Sequence, residues 1–314
     1  MTDRDPNRLP SAVTPQHYEL FFHPVLEEAS FSGRAEVTVT VHEPVDALVL
    51  HALDLEITGA AIERDGEHLD LTATFDPERE MVTLNAPSVI APGEWVLRTS
   101  FIGELNDKLV GFYRSTFTDE SGEKRTIACT QFESTHARRA FPCWDEPAFK
   151  ATFGVTLRVA EDLFAVSNAA EVSVEATDGG DKVVCFAPTM KMSTYLVAMV
   201  VGPLEATEPV DVDGVPLRVV TPVGRSHLTA FAQEVGAFAL RYLAGWYDIA
   251  YPGDKVDLVA VPDFSFGAME NLGCITFRET LLLVDEDNAT QAELQNVVDV
   301  ISHELAHMWF GDLV

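Results

Sequence analysis

The stretch ISHELAHMWFGDLV, residues 301–314, sets two histidines and a glutamate at a spacing that metal chemistry can use. His303, Glu304 and His307 form the pattern H-E-x-x-H. On a helix, residues four apart differ by about 40° around the axis, so the two imidazoles point the same way, one turn apart. That spacing lets both hold one Zn2+ at about 2.0–2.1 Å. Glu304 lies beside them but is aimed past the ion, where it can take a proton from a water held there. The plainer alternative is a chance pattern on a surface helix. The neighbouring apolar residues Met308, Trp309 and Phe310 weigh against it. Catalytic zinc ordinarily has three protein ligands and one open position. The other histidines form no obvious ligand arrangement, and Asp312 is too close on the same helix to be a comfortable third ligand.

The elements that must position these residues can be traced backwards along the chain. Thr290 followed by Glu293 is a capping-box pattern that opens a helix. Leu294, Val297, Val298, Ile301 and Leu305 then make an apolar stripe, which puts H-E-x-x-H on a helix with a buried face. Upstream, CITFRETLLLV (274–284) and KVDLVAVP (255–262) read as strands, with the loop DFSFGAMENLG (263–273) between them. AFAQEVGAFALRYLAGWYDI (230–249) has helical spacing, with Phe231, Val235, Phe238, Ala239 and Tyr242 sharing one face. Residues 14–205 have a different texture. Ala35, Val37, Val39 and Val41 alternate with polar residues, the signature of a half-buried strand. The style recurs at 47–63, 94–103 and 151–160, with turn signals at 64–67, 91–94 and 178–181. The expected fold is a mostly β N-terminal domain, a large antiparallel sheet or sandwich, over residues 1–205. Residues 206–314 are then the start of an incomplete α+β domain.

Composition removes other functions. The formal charge is −29, from 50 acidic and 21 basic residues, so the chain should repel nucleic acids and anionic membranes. The four cysteines, Cys129, Cys143, Cys185 and Cys274, include no C-x-x-C pair and suggest reduced, mostly buried thiols. The N-terminus shows no apolar signal-peptide core, and no apolar run is long enough to span a bilayer. A cytoplasmic protein is the expectation.

GAMEN (267–271) alone is a weak signal that fits an ordinary strand-connecting loop. Followed by HELAH, it resembles the active-site segments of the aminopeptidase N family of zinc aminopeptidases, whose catalytic domain is thermolysin-like. The resemblance extends to TQFESTHARRAFPCWDEPAFKA (130–151) and MSTYLVAMVVG (192–202), and so covers nearly the whole chain. It implies that His303 and His307 are zinc ligands and that Glu304 is the general base. It implies that Glu270, with Glu133 as its partner carboxylate, binds the free α-amine of a peptide substrate. Such an amine, with a pKa of about 7.7–8, is largely protonated at neutral pH. Two carboxylates would hold the ammonium by charge-assisted hydrogen bonds and so fix which peptide bond reaches the water.

Gly267 and Ala268 would leave the loop backbone free to pair with substrate. Met269 and Gln131 are candidates for the first side-chain pocket. The alternative for Glu133 is an ion pair with Arg138 or Arg139. The family's third ligand, a glutamate, and its oxyanion-stabilising tyrosine would fall beyond Val314. The match is therefore to the N-terminal portion of such an enzyme, and the expectation for this chain alone is little or no activity. The rival readings are a thermolysin-type endopeptidase, a relative that also opens epoxides, and a non-catalytic binding module with a remnant zinc motif.

Overall fold

The structure, a computed structural model, describes residues 8–314. Residues 1–7, part of the stretch read for a signal peptide, lie outside the described residues. The N-terminal part is β-rich. An eight-stranded sheet is built around the long strands Val13–Val25, Ser30–Val41 and Gly93–Glu104. Alternation puts Ala35, Val37, Val39 and Val41 on its buried face, as their spacing predicts. The pairings are antiparallel except one: inside this open sheet, Val13–Val25 lies parallel to Thr152–Ala160, joining strands far apart in sequence. The expected continuous strand at 47–63 divides into Val45–His51 and Leu55–Arg64. Asp54, at φ 56°, makes the break, and the first piece leaves for a separate three-stranded sheet.

Against the large sheet packs a four-stranded one, with neighbours in the order Phe164–Ser167, Met199–Gly202, Lys124–Gln131, Gly111–Thr118. The layer between the sheets is aromatic. Phe22 touches Phe31, Phe101, Phe112 and Phe141 at ring-centroid distances of 5.8–6.1 Å, mostly edge to face. This four-stranded sheet ends at the functional residues described below.

From Leu204 onward the chain forms a mixed six-stranded sheet whose centre is Val215–Pro222, Val256–Val261 and Cys274–Arg278, all parallel. The middle strand is buried at every position, and its apolar run is interrupted at Asp257, which pairs with Lys255 and Arg218. Two helices accompany the sheet and pack on each other: α1 (Ala230–Tyr247) and α2 (Gln291–His307). The capping box at Thr290 and Glu293 is formed in both directions.

Three expectations need correction. The face of α1 that packs inward carries Ala232, Gly236, Ala239 and Leu240, whereas Phe238 and Tyr242 are exposed. The helix comes so close to the sheet that a Cβ at Gly236 would sit 2.9 Å from Leu258 Cδ1, so only small residues fit there. On α2, Val297, Ile301 and Leu305 are buried but Val298 is exposed. The strand expected over 274–284 stops at Arg278 and gives way to a tight turn at Glu279–Leu281. The four cysteines are unpaired, with Cys129, Cys143 and Cys274 buried. No described helix is long and apolar enough to cross a membrane.

Candidate active site

His303 and His307 leave the last turn of α2 with their rings 4.7 Å apart and their Nε2 atoms 3.0 Å apart. The His307 Nδ1–H donates to the carbonyl of Phe310 (2.9 Å), which fixes the ring and leaves Nε2 with its lone pair. Two nitrogens bound to one tetrahedral zinc would stand about 3.3 Å apart. The pair therefore fits half of a zinc ligand set.

Glu304 is buried, with Glu270 and His307 beside it. Burial first, then the nearby Glu270 and Glu133, pushes its pKa up to about 8. Glu270 arrives from a different element. It follows Ala268–Met269, a two-residue strand at the edge of the six-stranded sheet, paired to Cys274–Arg278 on one side only. One carboxylate oxygen of Glu270, one of Glu304 and a ring nitrogen of His307 all lie within 4.8 Å of one another. Glu133 stands at the end of Lys124–Gln131, exposed to the cleft. Burial and Glu270 raise its pKa, and His307 opposes them. The alternative reading of Glu133 as an arginine partner finds no support. Arg138 is taken by Asp145 and Glu80, and Arg139 by Asp54.

Met269 is fully buried, and its Sδ accepts from Gln131 Nε2 at 3.4 Å. Gln131 Oε1 is buried without a partner. The Gly267 carbonyl accepts from the Arg278 N–H (2.9 Å), so this stretch is fixed to the sheet on its inner side. Its outer edge is where an extended peptide could add as a strand. The residues named from the sequence thus come from three elements and meet around one cleft.

Two further residues belong to this cleft. The Tyr195 phenol is pushed up to about 12 by burial, Glu270, Asp312 and Glu133. Its segment, 192–202, had stood out, but the tyrosine itself carried no signal of position. The sequence reading excludes Asp312 as a ligand for being too close on the same helix. The helix in fact ends at His307, and the following turn is broken at Phe310 and Gly311, which swings Asp312 into the interior. It is fully buried, and neither carboxyl oxygen has a hydrogen-bond partner.

Burial, followed by Glu270, pushes the Asp312 pKa up to about 9; Glu304 adds to this and Lys150 opposes it. A carboxyl raised by folding keeps a proton that the unfolded chain releases above about pH 4. Stability is therefore lost as pH rises from there toward 9. In metal-free protein, Asp312→Asn is expected to raise the melting temperature, with a gain that grows from pH 5 to pH 8 and reaches about 2 kcal/mol. Calorimetry across that range decides it, and a variant that melts lower at pH 8 would refute the protonated carboxyl.

A profile of the Peptidase M1 N-terminal domain matches residues 14–196, and one of the Peptidase family M1 domain matches residues 231–314. Puromycin-sensitive aminopeptidase of Caenorhabditis elegans is 43% identical over 310 residues, which are 98% of this chain and 33% of that protein. Aminopeptidase M1-D of Oryza sativa subsp. japonica is 45% identical over 307 residues, 98% of this chain and 35% of that protein. Endoplasmic reticulum aminopeptidase 2 of Homo sapiens is 39% identical over 314 residues, with coverages of 98% and 33%. The chain spans about a third of the length of the curated relatives it matches.

Proposed function

The chain belongs to peptidase family M1, and from that premise we propose that it forms the amine-recognising and metal-binding part of a zinc aminopeptidase. The enzyme removes single N-terminal residues from peptides. One observation carries the reading: Glu270, from a sheet edge, converges with Glu304 and His307, from a helix, to within 4.8 Å. An endopeptidase needs the helix pair and the base. A buried carboxylate added from the sheet is what recognition of a cationic substrate end requires.

His303 and His307 would hold a Zn2+ ion. When bound, that ion polarises the scissile carbonyl and makes water a better nucleophile near neutral pH. Glu304 accepts the water's proton and passes it toward the leaving amine. Glu270 and Glu133 receive the substrate's ammonium group, so the bond presented to Glu304 is the first of the peptide. Gly267 and Ala268 offer backbone to the substrate, while Met269 and Gln131 border its first side chain. We assign residues 1–205 to the β-rich domain and 206–314 to the peptidase domain. Two imidazoles fall one short of the usual catalytic ligand set, so the chain alone is expected to hydrolyse peptides weakly or not at all.

The test is made in a polypeptide of the relatives' length. Leucine p-nitroanilide should be cleaved, and its N-acetyl derivative should be cleaved at least a thousandfold more slowly, because acetylation removes the charge that Glu270 and Glu133 bind. Equal rates would favour a thermolysin-type endopeptidase.

A further inference from the structure

The segment that bears Glu270, residues 263–273, is fastened at both ends to the four-stranded sheet of the N-terminal part. At its start, the Asp263 carbonyl accepts from Tyr113 Oη (2.8 Å). Its carboxylate accepts from the Thr116 N–H (3.0 Å), and its own N–H donates to Ser115 Oγ (2.8 Å). At its other end, Asn168 follows the strand Phe164–Ser167. Asn168 Nδ2 donates to the carbonyls of Leu196 (2.8 Å) and Leu272 (2.9 Å), and Oδ1 accepts from the Ala198 N–H (2.9 Å). Lys255 Nζ donates to the carbonyls of Ser167 (2.7 Å) and Gly273 (2.6 Å). Gly273 has φ +69°, and a Cβ there would lie 2.0 Å from the Asn168 carbonyl oxygen, so the two backbones are in direct contact. Two carbonyls within three residues of Glu270 are thus gripped by side chains from elsewhere.

The chemistry of the grip is unusual for a mere stabiliser. Lys255 and Asn168 are almost wholly buried. A buried ammonium loses several kcal/mol of hydration, and an apolar residue of similar volume often serves stability as well or better. Asp257 answers the charge at 2.9 Å and is itself held by Arg218 at 2.6 and 3.2 Å. What the charged arrangement adds is direction: one nitrogen ties carbonyls from two different sheets at fixed distances. The same four-stranded sheet delivers Gln131 and Glu133 at the end of Lys124–Gln131, two strands from Phe164–Ser167.

We propose that Asn168 and Lys255 are positioning residues for Glu270, locking the amine-binding segment to the sheet that carries Glu133 so that the two carboxylates keep a fixed separation. This rests on the amine-recognition reading above. A free amine held between two carboxylates tolerates little drift in their spacing, because charge-assisted hydrogen bonds weaken steeply with distance and angle.

The test uses Asn168→Ala and Lys255→Met. In the 314-residue chain, amide hydrogen exchange over residues 268–273 should accelerate at least tenfold, while α2 stays within twofold of the parent. In a polypeptide of the relatives' length, KM for leucine p-nitroanilide should rise at least tenfold with kcat within threefold. Unchanged exchange in the segment, or equal acceleration everywhere, overturns the proposal. So does a fall in kcat at constant KM, the mark of a smaller folded fraction. Should Asn168→Ala fail to fold, Lys255→Met carries the test alone. Failure of the amine-recognition reading is separable: there Glu270→Gln leaves KM unaltered while the exchange result stands.

Discussion

Glu304→Gln is expected to bind zinc as the parent does and to lose a factor of about 10² to 10⁴ in kcat when assayed in a polypeptide of the relatives' length. The substitution keeps shape and hydrogen-bonding capacity but removes the basic oxygen. His303 and His307 are untouched, so metal content by mass spectrometry should not change. The pH dependence adds a second check. In the metal-free fold the Glu304 pKa lies at about 8, raised by burial and by Glu270 and Glu133. A general base works only when deprotonated, so kcat/KM should rise with pH through the folded pKa. A divalent ion beside the carboxylate pulls that value down, so the acidic limb in the zinc enzyme should lie below 8. A Gln variant within tenfold of the parent would remove Glu304 from the role of base.

Glu270→Gln is expected to lower kcat/KM for free-amine substrates by about 10 to 10², chiefly through KM. A charged hydrogen bond to a buried carboxylate contributes about 1.5–3 kcal/mol, and 1.4 kcal/mol is a factor of ten. Glu270 is buried, whereas Glu133 is open to the cleft, so Glu133→Gln should cost less. N-acetylated substrates carry no ammonium and should be cleaved at the same low rate by parent and variant. Steady-state kinetics on the matched pair of substrates checks this. Equal losses on both substrates would mean that Glu270 supports the fold of the cleft rather than the amine.

Periodicity made much of the architecture legible. Strands that bury one face announce themselves by alternation, as at Ala35 to Val41, and α2 by its capping box and by Val297, Ile301 and Leu305. Where the reading went astray, close packing decided against bulk. In α1 the large aromatics looked like the core, yet the face nearest the sheet carries Ala232, Gly236, Ala239 and Leu240, and Gly236 lies too close to Leu258 for a larger side chain. Asp312 was lost for a local reason. Helical counting was carried past His307, where the backbone leaves the helix at Phe310 and Gly311. Long-range placement was beyond pattern altogether. Nothing in the spacing of Asn168, Lys255 and Leu272 foretells that one grips the others' neighbourhood, because that contact exists only once two sheets have formed.

The face of α1 turned away from the sheet carries Phe238, Tyr242 and Trp246, one per turn, stacked at centroid distances of 6.0 and 6.1 Å. The protein has four tryptophans, and Trp95, Trp144 and Trp309 are at most 2% exposed while Trp246 is 71% exposed. The chain therefore carries a built-in optical reporter. Iodide should quench the emission of this one indole and spare the rest, and a blue shift with loss of quenching would signal that something has covered α1, with no label attached.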